Sequence, residues 1–181
     1  MNDMIQKSQQ SDFNTIYEII NDASSAYKGK IPYDCWKEPY MDEDELREQI
    51  ADGIEFWCYL ENEAILGVMG IQHRSDVTLI RHAYVKTIAR NKGIGGKLLT
   101  YLSRLTDQPI LIGTWADATW AIGFYVKHGF RQVSYMEKEM LLRKYWNIPM
   151  RQIETSVVLV NADFDIKNIT PSNLPISPED K

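Results

Sequence analysis

The chain has 181 residues, 44% of them hydrophobic, enough for one well-buried core and too few for two comfortable domains. Its formal net charge of -5 argues against a general binder of nucleic acid or anionic membrane, and the longest apolar run, Ala64 to Ile71, is too short to cross a bilayer. Cys35 and Cys58 are the only cysteines and show no metal-ligand spacing. Together with a start, Met1-Asn2-Asp3, that lacks a signal region, they make a metal-free protein of the reducing cytoplasm the expectation.

In chain order, Met4 to Lys7 suggests a short first strand. Ser11-Asp12 then opens a helix whose buried stripe is Phe13, Ile16, Tyr17, Ile19 and Ile20. Ala23 to Tyr40 carries Tyr27, Tyr33, Trp36 and Tyr40 among Gly29, Pro32 and Pro39, which fits either a loop pinned by aromatic packing or an aromatic wall over a binding site. A second helix runs from Asp42 or Asp44 to Ala51, with acids in its first turn and Gly53 as its stop. Glu55 to Glu61 and Ala64 to Gln72 form a hairpin about Asn62-Glu63. The near-continuous apolar strand Val77 to Val85 is expected at the centre of a sheet.

That strand leads into Lys86-Thr87-Ile88-Ala89 and Arg90-Asn91-Lys92-Gly93-Ile94-Gly95-Gly96-Lys97. A helix follows with Ile94, Leu98, Leu99, Leu102 and Leu105 on one face. Three glycines allow close approach of a ligand, the helix presents unpaired N–H groups and its positive dipole end, and Lys86, Arg90, Lys92 and Lys97 add charge, so the segment predicts an anion cradle. It is not a P-loop, since Leu98 follows Gly96-Lys97, and not a dinucleotide fingerprint, since Leu98 stands where a third glycine belongs. Pro109 to Trp115 is a further strand. The next helix runs from Asp117 to His128 with Ala118, Ala121, Ile122 and Tyr125 on one face and Trp120 and Phe124 stacked on another, and Gly129 ends it before Phe130 opens a strand. Met136, Met140, Leu142 and Tyr145 give Tyr135 to Trp146 a helical period, Ile153 to Val160 is a closing strand, and Asn161 to Lys181 is polar and proline-bearing.

The spacing of Arg90, Gly93 and Gly95 resembles the acyl-coenzyme A pyrophosphate loop of the GCN5-related N-acetyltransferase family. Ala121, Phe124-Tyr125 and Gly129-Phe130 resemble that family's second signature. The likeness covers Ser11 to Phe130 and again Ile153 to Val160. It departs at Ala118, where the family often has an Asn that contacts the pantetheine arm, and at Tyr135 to Trp146, an extra helix inserted between the last two strands.

The resemblance implies an α/β (α+β) fold with a mixed central sheet splayed at the cofactor slot and helices on both faces. Residues 1–162 would form the domain and 163–181 a loosely attached tail. It implies acetyl-coenzyme A as cosubstrate, its arm bonded to Ala83, Tyr84 and Val85 and its diphosphate to Arg90, Asn91, Lys92, Gly93, Ile94, Gly95, Gly96 and Lys97. The activity implied is direct transfer of acetyl to a primary amine, on a small molecule or a peptide, in a ternary complex. A non-catalytic acyl-coenzyme A sensor is the alternative, and a homodimer is left open.

Tyr125 matches the family's general acid. His82 is the candidate base, provided a bulge turns it toward the slot, with Glu55 and Asp117 in reserve. Trp115, Trp120, Trp36 and Tyr27 would suit an aromatic, apolar or cationic acceptor.

Overall fold

The computed structural model describes residues 3–169, without the side chain of Asp3. It contains strands β1 (Asp3–Lys7), β2 (Glu55–Glu61), β3 (Ala64–His73), β4 (Thr78–Val85), β5 (Ile110–Trp115), β6 (Arg131–Gln132) and β7 (Ser156–Val160). The helices are α1 (Phe13–Ser24), α2 (Glu43–Ala51), α3 (Ile94–Ser103), α4 (Thr119–Lys127), α5 (Tyr135–Tyr145) and α6 (Met150–Glu154). All the strands join one mixed sheet in the order β1-β2-β3-β4-β5-β7-β6, with β4 and β5 parallel and every other pair antiparallel.

Local chemistry explains the elements. Asn62 and Glu63 both take positive φ, 50° and 68°, the geometry a two-residue hairpin needs between β2 and β3. Asp42 caps α2 by accepting the N–H of Glu45 at 2.7 Å, and Glu43, Asp44 and Glu45 place negative charge on the positive end of its dipole. A reciprocal capping box between Ser134 and Glu137 starts α5.

Helices cover both faces. On one, α3 and α4 bury Ile94, Leu98, Leu99, Leu102 and Tyr125 against Tyr59, Met69, Ile80, Ile112 and Leu159. On the other, α1 and α2 cover Phe56, Cys58 and Val68, while α5 brings Leu141, Leu142, Tyr145 and Trp146 onto Leu79, Leu111, Val158 and Val160. Each fully buried leucine on α3 stabilises the fold by about 1.5–3 kcal/mol relative to exposure.

Several expectations shift. Leu105 falls beyond α3 and is exposed, so the stripe ends at Leu102. Met136 is exposed, and it is Leu141 that fills the core from α5. Ile153 belongs to a short helix, α6, that the sequence pattern did not reveal, and β7 starts at Ser156. Phe164 and Ile169 are buried against the α5 layer, so the polar stretch after β7 packs on the domain through Ile169, and residues 170–181 lie outside the described region. Among the described residues no helix is long and apolar enough to cross a membrane.

The feature that positions the site is incomplete pairing. β4 and β5 are bonded only where Thr78, Leu79 and Ile80 face Ile110, Leu111 and Ile112. Beyond that point the two strands part.

Candidate active site

A cavity of about 740 Å³ occupies the opening between β4 and β5 and runs from the start of α3 to the α5–α6 region. At one end, Asn91 (φ 63°) and Gly93 (φ 77°) bend the chain into α3. No side chain caps this helix, and Gly93, Ile94, Gly95 and Gly96 line the cavity, so the first-turn N–H groups and the positive dipole end face it. The loop is held from behind: Asp22 on α1 accepts the N–H of Thr87 at 2.6 Å, and Arg90 donates to the carbonyl of Ala23 at 2.9 Å.

The expected cradle residues divide. Arg90, Asn91, Gly93, Ile94, Gly95 and Gly96 line the cavity, and Lys92 and Lys97 do not. Lys97 turns its ammonium to the hydroxyl of Tyr59, at 3.2 Å. The glycines also have different reasons. Gly93 needs its left-handed φ, whereas a Cβ on Gly96 would lie 2.8 Å from the imidazole of His128. Gly96 therefore leaves room for the His128 ring while its backbone lines the cavity. Lys127 and His128 are cavity residues that the sequence reading missed; His128 Nδ1 is 2.8 Å from the carbonyl of Phe124, one turn back on the same helix.

Midway along the slot lies Tyr125, buried on α4 beneath the loop. Burial, reinforced by Tyr27, raises its phenol above the ordinary value, so the hydroxyl keeps its proton. Ala83, Tyr84 and Val85 line the opposite wall. Their parity depends on a bulge. Gly70 pairs with Arg81 and Val68 with Tyr84, so Met69 faces two residues, and His82 takes φ 50° to absorb the extra one.

At the far end the walls are aromatic. Tyr27 packs 5.4 Å from Tyr40 and 6.4 Å from Tyr84, and stacks on Trp120 at 5.9 Å. Trp120 thus partners Tyr27, and the ring neighbours of Phe124 are Tyr125 and His128, in place of the expected Trp120–Phe124 stack. Trp115 donates its indole N–H to the hydroxyl of Tyr40 at 2.7 Å. Trp36 stacks on Tyr40 from outside and does not line the cavity. Trp146, at the end of α5, packs 3.4 Å from where a Cβ on Gly113 would stand, which brings the inserted helix against the mouth of the slot.

The surroundings of the candidate base work against that role. The bulge does bring His82 to the cavity wall, but its ring lies between Phe56 and Tyr84 and its Nε2 hydrogen-bonds Gln49 Oε1. Burial, with the neighbouring Arg81 charge, pulls its pKa down to about 3. Such a depressed basicity is poorly matched to taking a proton from an ammonium near neutrality. Glu55 is paired with Lys7 at 2.7 Å, Asp117 is exposed, and neither lines the cavity.

A mixed sheet that opens between two parallel strands, beside a glycine loop leading into a helix, is an acetyltransferase architecture. The chain belongs to the GCN5-related N-acetyltransferase (GNAT) family: the model of the acetyltransferase (GNAT) domain matches residues 18–152. A search of curated proteins finds no match.

Among solved structures, an acetyltransferase of the GNAT family from Staphylococcus aureus Mu50 is similar at 20% identity and TM-score 0.66, over 88% of this chain and 98% of that one. PaiA N-acetyltransferase from Thermoplasma acidophilum, solved with coenzyme A, has 16% identity and TM-score 0.67, covering 89% of this chain and 99% of that one. The ribosomal-protein-S18-alanine N-acetyltransferase from Escherichia coli has 14% identity and TM-score 0.64, covering 96% and 99%. At these identities the likeness establishes the fold.

Proposed function

We propose that the protein is an acetyl-coenzyme A-dependent N-acetyltransferase that acts on a primary amine. One juxtaposition carries this reading: the uncapped start of α3, the unpaired edge of β4 and the hydroxyl-bearing Tyr125 all line a single cavity. Its volume of about 740 Å³ lies within the roughly 300–1,000 Å³ of small-molecule and cofactor sites.

The residues fit the cosubstrate. Gly93 to Gly96 and the α3 dipole would hold a diphosphate, helped by Arg90 and Lys127. The slot-facing edge of β4 from Ala83 to Val85, which no strand occupies, would pair with the amide-bearing arm as an added strand does. Acetyl-coenzyme A, when bound, supplies an activated thioester carbonyl. A β4 backbone N–H directed at that carbonyl oxygen stabilises the charge that develops there as the C–N bond forms.

As the C–S bond breaks, Tyr125 donates its proton to the departing sulfur. Burial raises the phenol, and the same dry surroundings raise the basicity of a thiolate, so the transfer stays matched. Among the described residues no Asp or Glu lines the cavity, so none of their carboxylates receives the ammonium proton. The amine enters deprotonated or releases its proton to water at the rim.

The lack of a base is the one observation that favours a sensing module over an enzyme. An amine-panel assay of thiol release, paired with thermal shifts in coenzyme A, acetyl-coenzyme A and ATP, separates the readings. The enzyme is stabilised by both coenzyme A forms and releases thiol with at least one amine. Stabilisation without release from any amine identifies the sensor, and stabilisation by ATP alone removes both.

A further inference from the structure

Arg81 lines the cavity and, among the described residues, has no carboxylate in ion-pair contact. It stands on β4 just before the bulge and is partly buried, and burial lowers its guanidinium to about 10, so it remains a cation near neutrality. Both of its hydrogen bonds go to neutral amides, Gln72 Oε1 at 3.2 Å and Gln49 Oε1 at 3.4 Å. It forms no ion pair among the described residues. The carboxylates that act on it from a distance, Asp52 and Glu45, are engaged elsewhere, by Arg74 at 2.8 Å and Lys37 at 2.7 Å.

A guanidinium offers five N–H donors in a planar fork, and removing it from water is costly unless an anion compensates. Among the described residues the cavity supplies none, since the charged ones lining it are Arg81, Arg90 and Lys127. Arg90 and Lys127 belong to the α3–α4 end, where the diphosphate would lie. Arg81 belongs to the end walled by Tyr27, Tyr40 and Tyr84. A polycationic acceptor would meet like charge there with no acid to receive it.

We infer that the acceptor is an amine that also bears a carboxylate, held with the carboxylate on the Arg81 guanidinium and the amine toward the β4–β5 slot. The amine half rests on the transferase reading above, and the anion half does not. Two sources share this chemistry: a free amino acid, and a peptide with an acidic side chain close to its N-terminus.

The test uses the full chain in two assays. One is calorimetric titration into the protein saturated with coenzyme A, and the other is thiol release from acetyl-coenzyme A. Both use amino acids, their matched carboxamides, dipeptides with an acidic side chain, and a polyamine. The expected result is a preference for carboxylate over carboxamide on the order of 10- to 100-fold. Arg81→Gln should abolish that preference and Arg81→Lys retain part of it, with the thermal shift in coenzyme A unchanged in both.

Preference for free amino acids or for acidic dipeptides identifies the source. Equal or better use of carboxamides or the polyamine overturns the inference, as does a preference that survives Arg81→Gln. No binding and no turnover with any carboxylate also overturns it. Arg81-dependent carboxylate binding without thiol release from any amine leaves the anion site standing and removes the transferase reading.

Discussion

The two ends of the cavity are built by different means. At the α3–α4 end the contacts come from the backbone: left-handed Gly93, the uncapped first turn of α3, and a loop tied to α1 through Asp22 and Ala23. At the aromatic end they come from side chains on separated segments, with Tyr27 from the helical turn after α1, Tyr40 from the loop before α2, Arg81 and Tyr84 from β4, and Trp146 just after α5. A backbone site is set by local geometry and tolerates changes in its surroundings. A side-chain site is set by tertiary packing and can be changed residue by residue.

The largest expected effect falls on the backbone end. Gly93→Val places a β-branched residue at φ 77° and should weaken coenzyme A binding by on the order of 100-fold in calorimetry; retained affinity would mean that the turn is not a cradle. Between the two ends, Tyr125→Phe should lower kcat by about 100-fold in the thiol-release assay and change coenzyme A affinity by less than about threefold. Unchanged turnover would remove the phenol from the mechanism.

His82 gives a smaller effect with a defined sign. Its folded pKa of about 3 lies below the ordinary 6.5, so between those values the unfolded chain binds a proton that the folded one does not. Stability is therefore lost as pH falls from about 6.5 toward 3, by at most about 1.4 kcal/mol per pH unit. Urea midpoints should be less acid-sensitive in His82→Gln over this range, and equal sensitivity would show that the ring is not held neutral. The smallest effect belongs to the surface, where Arg151 and Asp34 pair at 2.7 Å with both side chains more than half exposed. Asp34→Asn should leave the melting temperature unmoved within experimental error.

The same contrast governs what the sequence discloses. The loop from Arg90 to Gly96 and the stop at Gly129 were legible because local backbone demands are written in adjacent residues, and Gly93 and Gly129 do take positive φ. The β2–β3 hairpin was legible through its Asn62-Glu63 turn, the parting of β4 and β5 through the family resemblance, and α5 through its period. What was hidden depends on partners distant in sequence. The bulge at His82 follows from register against Gly70, and the direction of Lys97 follows from Tyr59. Nothing near Arg81 in the chain indicates that its hydrogen bonds go to Gln49 and Gln72.

The placement of β7 between β5 and β6 has a consequence for folding on the ribosome. When residues up to Gln132 have emerged, β5 has a partner only over the three residues it shares with β4, and β6 has none. The wall opposite β4 closes only after α5, α6 and then β7 have followed. The two-walled slot is thereby complete only once β7 is in place, and a chain interrupted within α5 leaves an unfinished sheet edge open to misassociation.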